Sequence, residues 1–148
     1  MRASAGATAR DAGLDGQTWN ILDQTYIPKH VSEHSFSWQA TFPAGSFVPL
    51  HIHPKQDEFL YLLEGSLEFT LDGKPLKAAP GDLVSLPLGI PHSIHNRSGG
   101  IVKCLFWVSP TGKLYDYFKA IHQVQDLKLL EKLAAEHDVP FVQQAASA

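Results

Sequence analysis

The sequence predicts an all-β fold of the sandwich or barrel class with a short C-terminal helical extension. Two observations support the sheets: about eight short apolar or alternating segments, and turn residues that separate them every eight to twelve positions. Short strands at such spacing are typical of sandwiches and barrels. A third observation, helical apolar periodicity confined to the end of the chain, predicts the extension.

The strand signals begin after the first eighteen residues. Residues 36–42 alternate apolar and polar side chains, which predicts a strand with one buried face. The dipeptide Asp72-Gly73 predicts a two-residue hairpin, because a type I′ turn needs positive φ at both positions. A short extended arm is predicted within residues 19–28, and strands are predicted at residues 36–42, 47–53, 58–63, 66–71, 74–77, 82–86, 92–95 and 101–108.

Two amphipathic helices are predicted at the end of the chain. The first covers residues 113–121, where Leu114, Tyr117 and Phe118 begin an apolar stripe at helical spacing. The second has Asp126 as its N-cap and runs to about residue 137. We expect these helices to form a lid or brace that packs against the barrel.

Length and composition favour a single globular domain. The 148 residues are 44% hydrophobic and 18% charged, and a net charge of −3 provides no basic surface for nucleic acid or membranes. No apolar run approaches the ~20 residues that cross a bilayer. The only cysteine, Cys104, excludes an intrachain disulfide and lies in an apolar strand, which predicts a buried thiol.

The predicted organisation has three parts. Residues 1–16 lack periodicity and the apolar core of a secretory signal, so we expect a disordered leader and a cytoplasmic protein. Residues 17–110 form the barrel, and residues 111–148 form the helical extension.

A candidate metal site begins in the strand predicted at residues 47–53. His51 and His53 are two positions apart, so their side chains share a face if the backbone is extended. Pro54 ends that strand, and Glu58 opens the next apolar run. Two imidazoles and a carboxylate would then converge across a hairpin, which is a metal-ligand arrangement.

A further histidine follows a rigid turn later in the chain. Prolines and a glycine fix the geometry of the corner that precedes His92. Together the two stretches resemble both signature motifs of the cupin superfamily, with every defining position filled between residues 45 and 96. The first motif comprises Gly45, His51, His53, Glu58 and Gly65, and the second comprises Gly81, Pro87, Gly89, His92 and Asn96.

The resemblance implies a double-stranded β-helix, or jelly-roll barrel, that holds one divalent transition metal per chain. Carried over position by position, the ligands are His51, His53, Glu58 and His92. The residue types agree, since imidazole and carboxylate suit Fe, Mn, Ni, Cu or Zn and thiolates are absent. Four protein ligands on an octahedral ion leave two positions open. A non-catalytic metal site, or an empty site that serves only the shape of the barrel, stays an alternative.

The end of the chain carries a second resemblance. Residues 107–112 and the aromatic helix after them look like the C-terminal extension of small bacterial cupins described as quercetin-dioxygenase-like. The similarity lies in composition and order, so it implies a subgroup and no particular substrate. The family also implies a homodimer, which exchange of the N-terminal arm would explain.

The first functional hypothesis is a metal-dependent dioxygenase, an oxidoreductase whose ion chelates an oxygen-rich small molecule such as an enol, phenol or flavonol. Glu58 would act as a general base if it loosened from the ion. One alternative is a non-oxidative isomerase or lyase, and another is a module that binds or senses a small ligand without catalysis. The fold alone does not choose among them.

Four further residues are candidates for the substrate pocket. Gln56 lies in the loop between ligands, and Trp38, Phe47 and Phe106 are aromatic residues on barrel strands that suit a mostly apolar pocket. The face that each aromatic side chain takes stays open at this point.

Several other polar residues are expected to lie outside the site. Tyr61 has the wrong strand parity relative to Glu58, and His95 has the wrong parity relative to His92. The histidines without a partner at metal-ligand spacing are expected at the surface: His30, His34, His122 and His137.

Overall fold

The protein, described over residues 5–143 by a computed structural model, has ten strands and two helices. The strands are β1 (Trp19–Ile21), β2 (Gln24–Val31), β3 (Phe36–Phe42), β4 (Phe47–His51), β5 (Asp57–Glu64), β6 (Leu67–Leu71), β7 (Lys74–Ala78), β8 (Leu83–Leu86), β9 (His92–His95) and β10 (Val102–Ser109). The helices are α1 (Leu114–Ile121) and α2 (Leu127–Glu136).

The strands form two antiparallel sheets. The six-stranded sheet has the order β1-β2-β3-β10-β5-β8, and the four-stranded sheet has the order β4-β9-β6-β7. Because β3 and β4, β5 and β6, and β7 and β8 lie in different sheets, the chain crosses repeatedly between the two layers. The predicted all-β jelly-roll barrel with a C-terminal helical extension is confirmed.

The hydrophobic core lies between the sheets. In β3 every second side chain is buried, and Phe36 and Phe42 are fully enclosed, as the alternation of residues 36–42 predicts. Leu60 and Leu62 of β5 pack into the same core, which also encloses the Cys104 thiol. Burial raises the pKa of this thiol, so it stays protonated and contributes as an apolar group.

Two turns depend on the residues that the sequence places there. Asp72 and Gly73 have φ of 50° and 78°, which are values of the predicted type I′ hairpin between β6 and β7. Gly65 has φ of 74°, and a Cβ there would lie 2.8 Å from Val102 Cγ2. Glycine is therefore required at residue 65 both for the backbone angle and for the close approach of β10.

Asn96, the last position of the second motif, is a structural residue. Its Nδ2 donates to the carbonyls of Phe42 at 2.8 Å and of Gly100 at 2.8 Å. Its Oδ1 accepts from the Ser98 backbone and hydroxyl. The side chain thus fastens the loop after β9 to the end of β3.

Two predicted elements differ in their extent. The segment predicted as a short extended arm forms the β1–β2 hairpin, and β2 pairs with β3 in the same chain. The strand predicted at residues 47–53 ends at His51, so His53 lies in the turn that follows.

The C-terminal helices follow the prediction closely. Asp126 caps α2 by accepting a hydrogen bond from Lys128 N at 2.9 Å. Beyond α2 the chain returns to the barrel, where Ile52 N donates to Pro140 O at 3.1 Å. Neither helix in the described part of the chain is long and apolar enough to cross a membrane.

The predicted leader begins outside the described residues. Two of its described carbonyls, those of Ala9 and Ala12, accept hydrogen bonds from Lys29 Nζ of β2 at 2.7 Å. A short 3₁₀ turn spans Leu14–Gly16. Disorder of residues 1–16 and the domain limits stay predictions, and the last five residues of the predicted extension, 144–148, also lie outside the described part.

Candidate metal centre

Four elements of the barrel bring the predicted ligands together. His51 ends β4 and is the register partner of His92, which begins β9. His53 lies in the turn after β4, and Glu58 points inward from β5. The four potential ligand atoms lie within 4.8 Å of one another, and all four residues are buried. This buried cluster of three histidines and one glutamate could hold a metal ion.

Each imidazole is oriented by an acceptor on its outer nitrogen. The Nδ1 atom lies 2.7 Å from Pro49 O in His51, 2.8 Å from Gln56 Oε1 in His53 and 3.3 Å from a backbone carbonyl in His92. Because a carbonyl oxygen can only accept, Nδ1 carries the proton in this arrangement. In the neutral form of these rings, which is the form that binds metals, the Nε2 lone pairs therefore face the centre of the cluster.

The distances between inner atoms fit a shared ion. His51 Nε2 and His53 Nε2 lie 3.1 Å apart, although each presents a lone pair to the other. His92 Nε2 lies 3.1 Å from Glu58 Oε1, yet it makes no hydrogen bond of acceptable geometry within residues 5–143. Two atoms about 2.1 Å from one ion and about 90° apart would be about 3.0 Å from each other. The residues present thus suit a divalent transition metal.

The protonation states also suit metal binding. Burial, together with repulsion from the other two imidazoles, lowers the pKa of His51 well below its usual value. Burial raises the pKa of Glu58, but the neighbouring imidazoles of His53 and His92 outweigh burial and lower that pKa to about 2. At neutral pH His51 is therefore neutral and Glu58 is ionised, which are the forms that bind metals.

A small cavity of about 60 Å³ opens beside the cluster. Three of the four cluster residues border it, namely His51, His53 and Glu58. Its walls are mostly apolar and come from the barrel, from both C-terminal helices and from the segment after α2. The remaining lining residues are Ile21, Leu22, Gln24, Tyr26, Trp38, Val48, Pro49, Ile94, Phe106, Leu114, Tyr117, Phe118, Ile121, Leu130, Val139 and Phe141.

The structure separates the four pocket candidates. Trp38 and Phe106 line the cavity and stack on each other, with ring centroids 5.0 Å apart. Gln56 is buried behind His53 and does not border the cavity. Phe47 is 38% exposed and stacks on His95, so it lies outside the cavity lining.

A register irregularity explains the position of Phe47. Val48 pairs with Ile94, and His51 pairs with His92. Between these two pairs β4 advances by three residues, whereas β9 advances by only two. One extra residue in β4 reverses the strand parity. Val48 therefore shares the inner side with His51, and Phe47 points outward.

The remaining histidines lie away from the cluster. His95 packs against Phe47, and burial followed by the charge of Arg97 lowers its pKa. His122 Nδ1 accepts from Asn20 N, and His137 Nδ1 lies 2.7 Å from Leu133 O. His34 is exposed, and His30 is half-buried beside Ser35. Tyr61 is 40% exposed on the outer face of β5, as its parity indicates.

Sequence reasoning missed the contribution of the helices and of β2 to the cavity. We predicted the extension as a lid or brace, but its stripe also supplies Tyr117 and Phe118 to the cavity wall. From β2, Tyr26 and the fully buried Gln24 add polar groups. The aromatic stripe was the one available signal, because helical periodicity shows which side is buried without showing what it faces.

Comparison with known proteins agrees with this geometry. The cupin domain model matches residues 38–108. Quercetin 2,3-dioxygenase of Bacillus subtilis is 32% identical over 118 residues, and the match covers 70% of this chain and 34% of that enzyme. Dimethylsulfoniopropionate lyase DddQ of Ruegeria pomeroyi is 35% identical over 78 residues, with 52% of this chain and 38% of that enzyme covered. The chain thus matches only about a third of the length of either relative.

A solved structure shares the fold. KdgF from Halomonas sp. superimposes with a TM-score of 0.63 at 16% identity, covering 72% of this chain and 94% of that protein. At such low identity the likeness concerns the fold alone. The matched domain model, the dioxygenase relative and the two filled motifs show that this chain belongs to the cupin superfamily.

Proposed function

We propose that the chain is a metal-dependent enzyme of the dioxygenase type that acts on a small, oxygen-rich organic molecule such as an enol or phenol. His51, His53, Glu58 and His92 would hold one divalent transition metal. One observation carries the proposal: the apolar cavity borders three of these four residues, so a small molecule in the cavity lies beside the ion. A purely structural metal site would be closed on all sides.

The four ligands and the cavity walls would have different roles, since the ligands would hold the ion and the walls would exclude water. A divalent ion held there supplies Lewis acidity and a template for an oxygen-bearing substrate and dioxygen. The hydrogen bonds from the histidine Nδ1 atoms to their acceptors hold the imidazoles in place before a substrate arrives. The apolar walls exclude water, which strengthens the electrostatic interactions inside the cavity.

Glu58 has a second proposed role as a general base. Its pKa of about 2 makes it a weak proton acceptor while it lies between His53 and His92. Proton transfer to Glu58 therefore requires that the carboxylate first loosen from the ion and turn away from these imidazoles, so that its pKa rises. In its present position it would serve as an anionic ligand.

Tyr26 lines the cavity, and we propose that its hydroxyl orients a substrate. Its hydroxyl donates to Gln24 Oε1 at 2.6 Å, and Gln24 Nε2 donates to Phe47 O at 2.7 Å. Because the hydroxyl proton is already used, the Tyr26 oxygen is left as an acceptor. It would receive a hydrogen bond from a substrate hydroxyl.

Replacement of Tyr26 by phenylalanine tests this role. Loss of one hydrogen bond of about 1 kcal/mol is expected to raise KM about fivefold, with metal content unchanged. Steady-state kinetics and metal analysis measure the two quantities. Tyr117→Phe is the matched control, since it removes a hydroxyl from another residue of the cavity wall. Equal KM changes in both variants would contradict a specific role for Tyr26.

The size of the cavity limits what can bind without movement. Its 60 Å³ is well below the ~300–1,000 Å³ of typical ligand pockets. A substrate the size of a phenol therefore requires the cavity walls to rearrange, and we propose that the C-terminal helices move away from the barrel.

A non-oxidative lyase or isomerase is the second candidate function. The similarity to dimethylsulfoniopropionate lyase DddQ supports it, because that relative is 35% identical over 78 residues, against 32% over 118 residues for the dioxygenase. The same ligand set could stabilise an enolate without dioxygen. A ligand-sensing module is the third candidate.

Metal reconstitution followed by oxygen measurement separates these functions. We expect protein purified without added metal to contain about one transition ion per chain, and a form loaded with Fe, Mn, Ni or Cu to consume oxygen with an enol, phenol or flavonol. The form loaded with redox-inert Zn should not consume oxygen. Chelator-treated protein is the control. Failure to take up any of these metals would overturn the proposed centre. Turnover without oxygen uptake would support the lyase or isomerase, and tight binding without turnover would support the sensor.

A further inference from the structure

Gln56 connects a proposed metal ligand to the start of the C-terminal helices. Its side chain is 4% exposed, and its Oε1 lies 2.8 Å from His53 Nδ1. Its Nε2 donates to Pro110 O at 3.0 Å and to Thr111 O at 2.7 Å. Both ends of the amide are therefore engaged, and its orientation is determined by its partners.

The segment that Gln56 holds is the hinge between the barrel and the helices; we define it as residues 110–113. Thr111 N donates to Glu33 O at 3.3 Å, and the Thr111 hydroxyl donates to Ser32 O. Leu114 N, at the start of α1, donates to Thr111 O at 3.2 Å. The hinge is thus bonded to the β2–β3 loop, to α1 and, through Gln56, to His53.

Beyond the hinge lies the cap, defined as residues 114–142, which closes the cavity. Both helices contribute to the cavity lining, for example through Phe118 and Leu130. The far end of the cap is attached beside the cluster, because His51 and Phe141 form an isolated β-bridge. An ion pair of 3.4 Å between Lys55 and Asp138 adds a weaker, exposed attachment.

We infer that Gln56 is a positioning residue that couples metal binding at His53 to closure of the cap. This inference rests on the proposed metal centre. An ion at His53 Nε2 would fix the ring and polarise Nδ1–H, which strengthens its bond to Gln56 Oε1. The amide in turn holds the hinge carbonyls more firmly. Conversely, a cap that opens releases Gln56 and loosens His53, because coupling between two sites is reciprocal.

Hydrogen exchange with Co²⁺ as the probe tests the coupling. In the full wild-type chain, Co²⁺ is expected to slow backbone exchange in α1 and α2 by about fivefold or more. Gln56→Glu keeps an acceptor for His53 and loses both donations to the hinge. It should bind Co²⁺ within about tenfold of wild type, yet Co²⁺ should no longer slow exchange in the helices.

Two further variants complete the design. Gln56→Leu removes the acceptor as well, so its Co²⁺ affinity should fall by about 10–100-fold. Gln125→Glu makes the matched substitution at an exposed position of the cap and should behave as wild type. If Gln56→Glu does not fold, Gly112→Ala replaces it, since its added Cβ would lie 3.1 Å from Gln56 Nε2. That variant should likewise lose the Co²⁺-dependent protection.

The possible outcomes distinguish the coupling from the metal centre. Wild-type protein that takes up no Co²⁺ would overturn the metal centre and the coupling together. Co²⁺ binding without slower exchange in the wild-type cap would overturn the coupling alone. If Co²⁺ still slows hydrogen exchange in the helices of Gln56→Glu as it does in wild type, the coupling is also overturned. The same holds for Gly112→Ala if it replaces that variant.

Discussion

His51→Ala is expected to abolish metal binding by the folded protein. The variant loses one of four ligands whose inner atoms lie within 4.8 Å of one another, which leaves two histidines and one carboxylate to hold the ion. We expect metal content to fall from about one ion per chain to background, with an affinity loss above about 100-fold. Elemental analysis of protein purified without added metal measures the change.

The same substitution should remove the stabilisation that a metal confers. Free metal at 1,000 times its dissociation constant adds about 4 kcal/mol to the free energy of unfolding, provided that only the folded state binds. His51→Ala should show no such increase in urea unfolding. His34→Ala is the matched control, because this exposed histidine lies outside the cluster. A full complement of tightly bound metal in His51→Ala would refute the assignment.

Trp38→Ala is expected to produce the largest loss of stability. The indole is 2% exposed and stacks between Phe36 and Phe106 at centroid distances of 4.8 Å and 5.0 Å. Phe118 of α1 meets it edge-on at 4.9 Å, so the ring also joins the barrel to the cap. Truncation of such a side chain costs about 3–5 kcal/mol. Urea unfolding of metal-free protein measures this loss without a contribution from the ion.

Two variants show whether the loss comes from packing in the core. Trp38→Phe should cost less than Trp38→Ala, because it keeps an aromatic ring between Phe36 and Phe106 and leaves a smaller cavity. Trp107→Ala is the control for the residue type, since Trp107 is half-buried and packs against Phe59. It should cost less than half as much as Trp38→Ala. Similar losses at both tryptophans would contradict the central position of Trp38.

Much of the barrel could be predicted from the sequence because its signals are local. The alternation of residues 36–42 and the Asp72-Gly73 turn depend on neighbouring residues only, and both predictions are confirmed. The apolar stripe beginning at Leu114 predicted α1, and the N-cap residue Asp126 predicted the start of α2, for the same reason. The cytoplasmic location and the homodimer stay predictions.

The sequence by itself also determined the composition of the candidate site. The spacing of His51, His53 and Glu58, with His92 after a rigid corner, named the four residues that the fold brings together. The strand boundary at His51 was the only local error there, and it left the side chains converging.

Only the tertiary structure decided which residues line the cavity beside the site and which residues hold its ligands in place. One extra residue in β4 turned Phe47 outward. The alternation of side chains along a strand does not reveal such a bulge from the sequence. Tyr26 reaches the cavity from β2, and Gln56 links His53 to a hinge more than fifty residues later in the chain. These contacts join segments far apart in sequence, so no local pattern encodes them. They depend on the packing of two sheets and a helical cap around one small cavity.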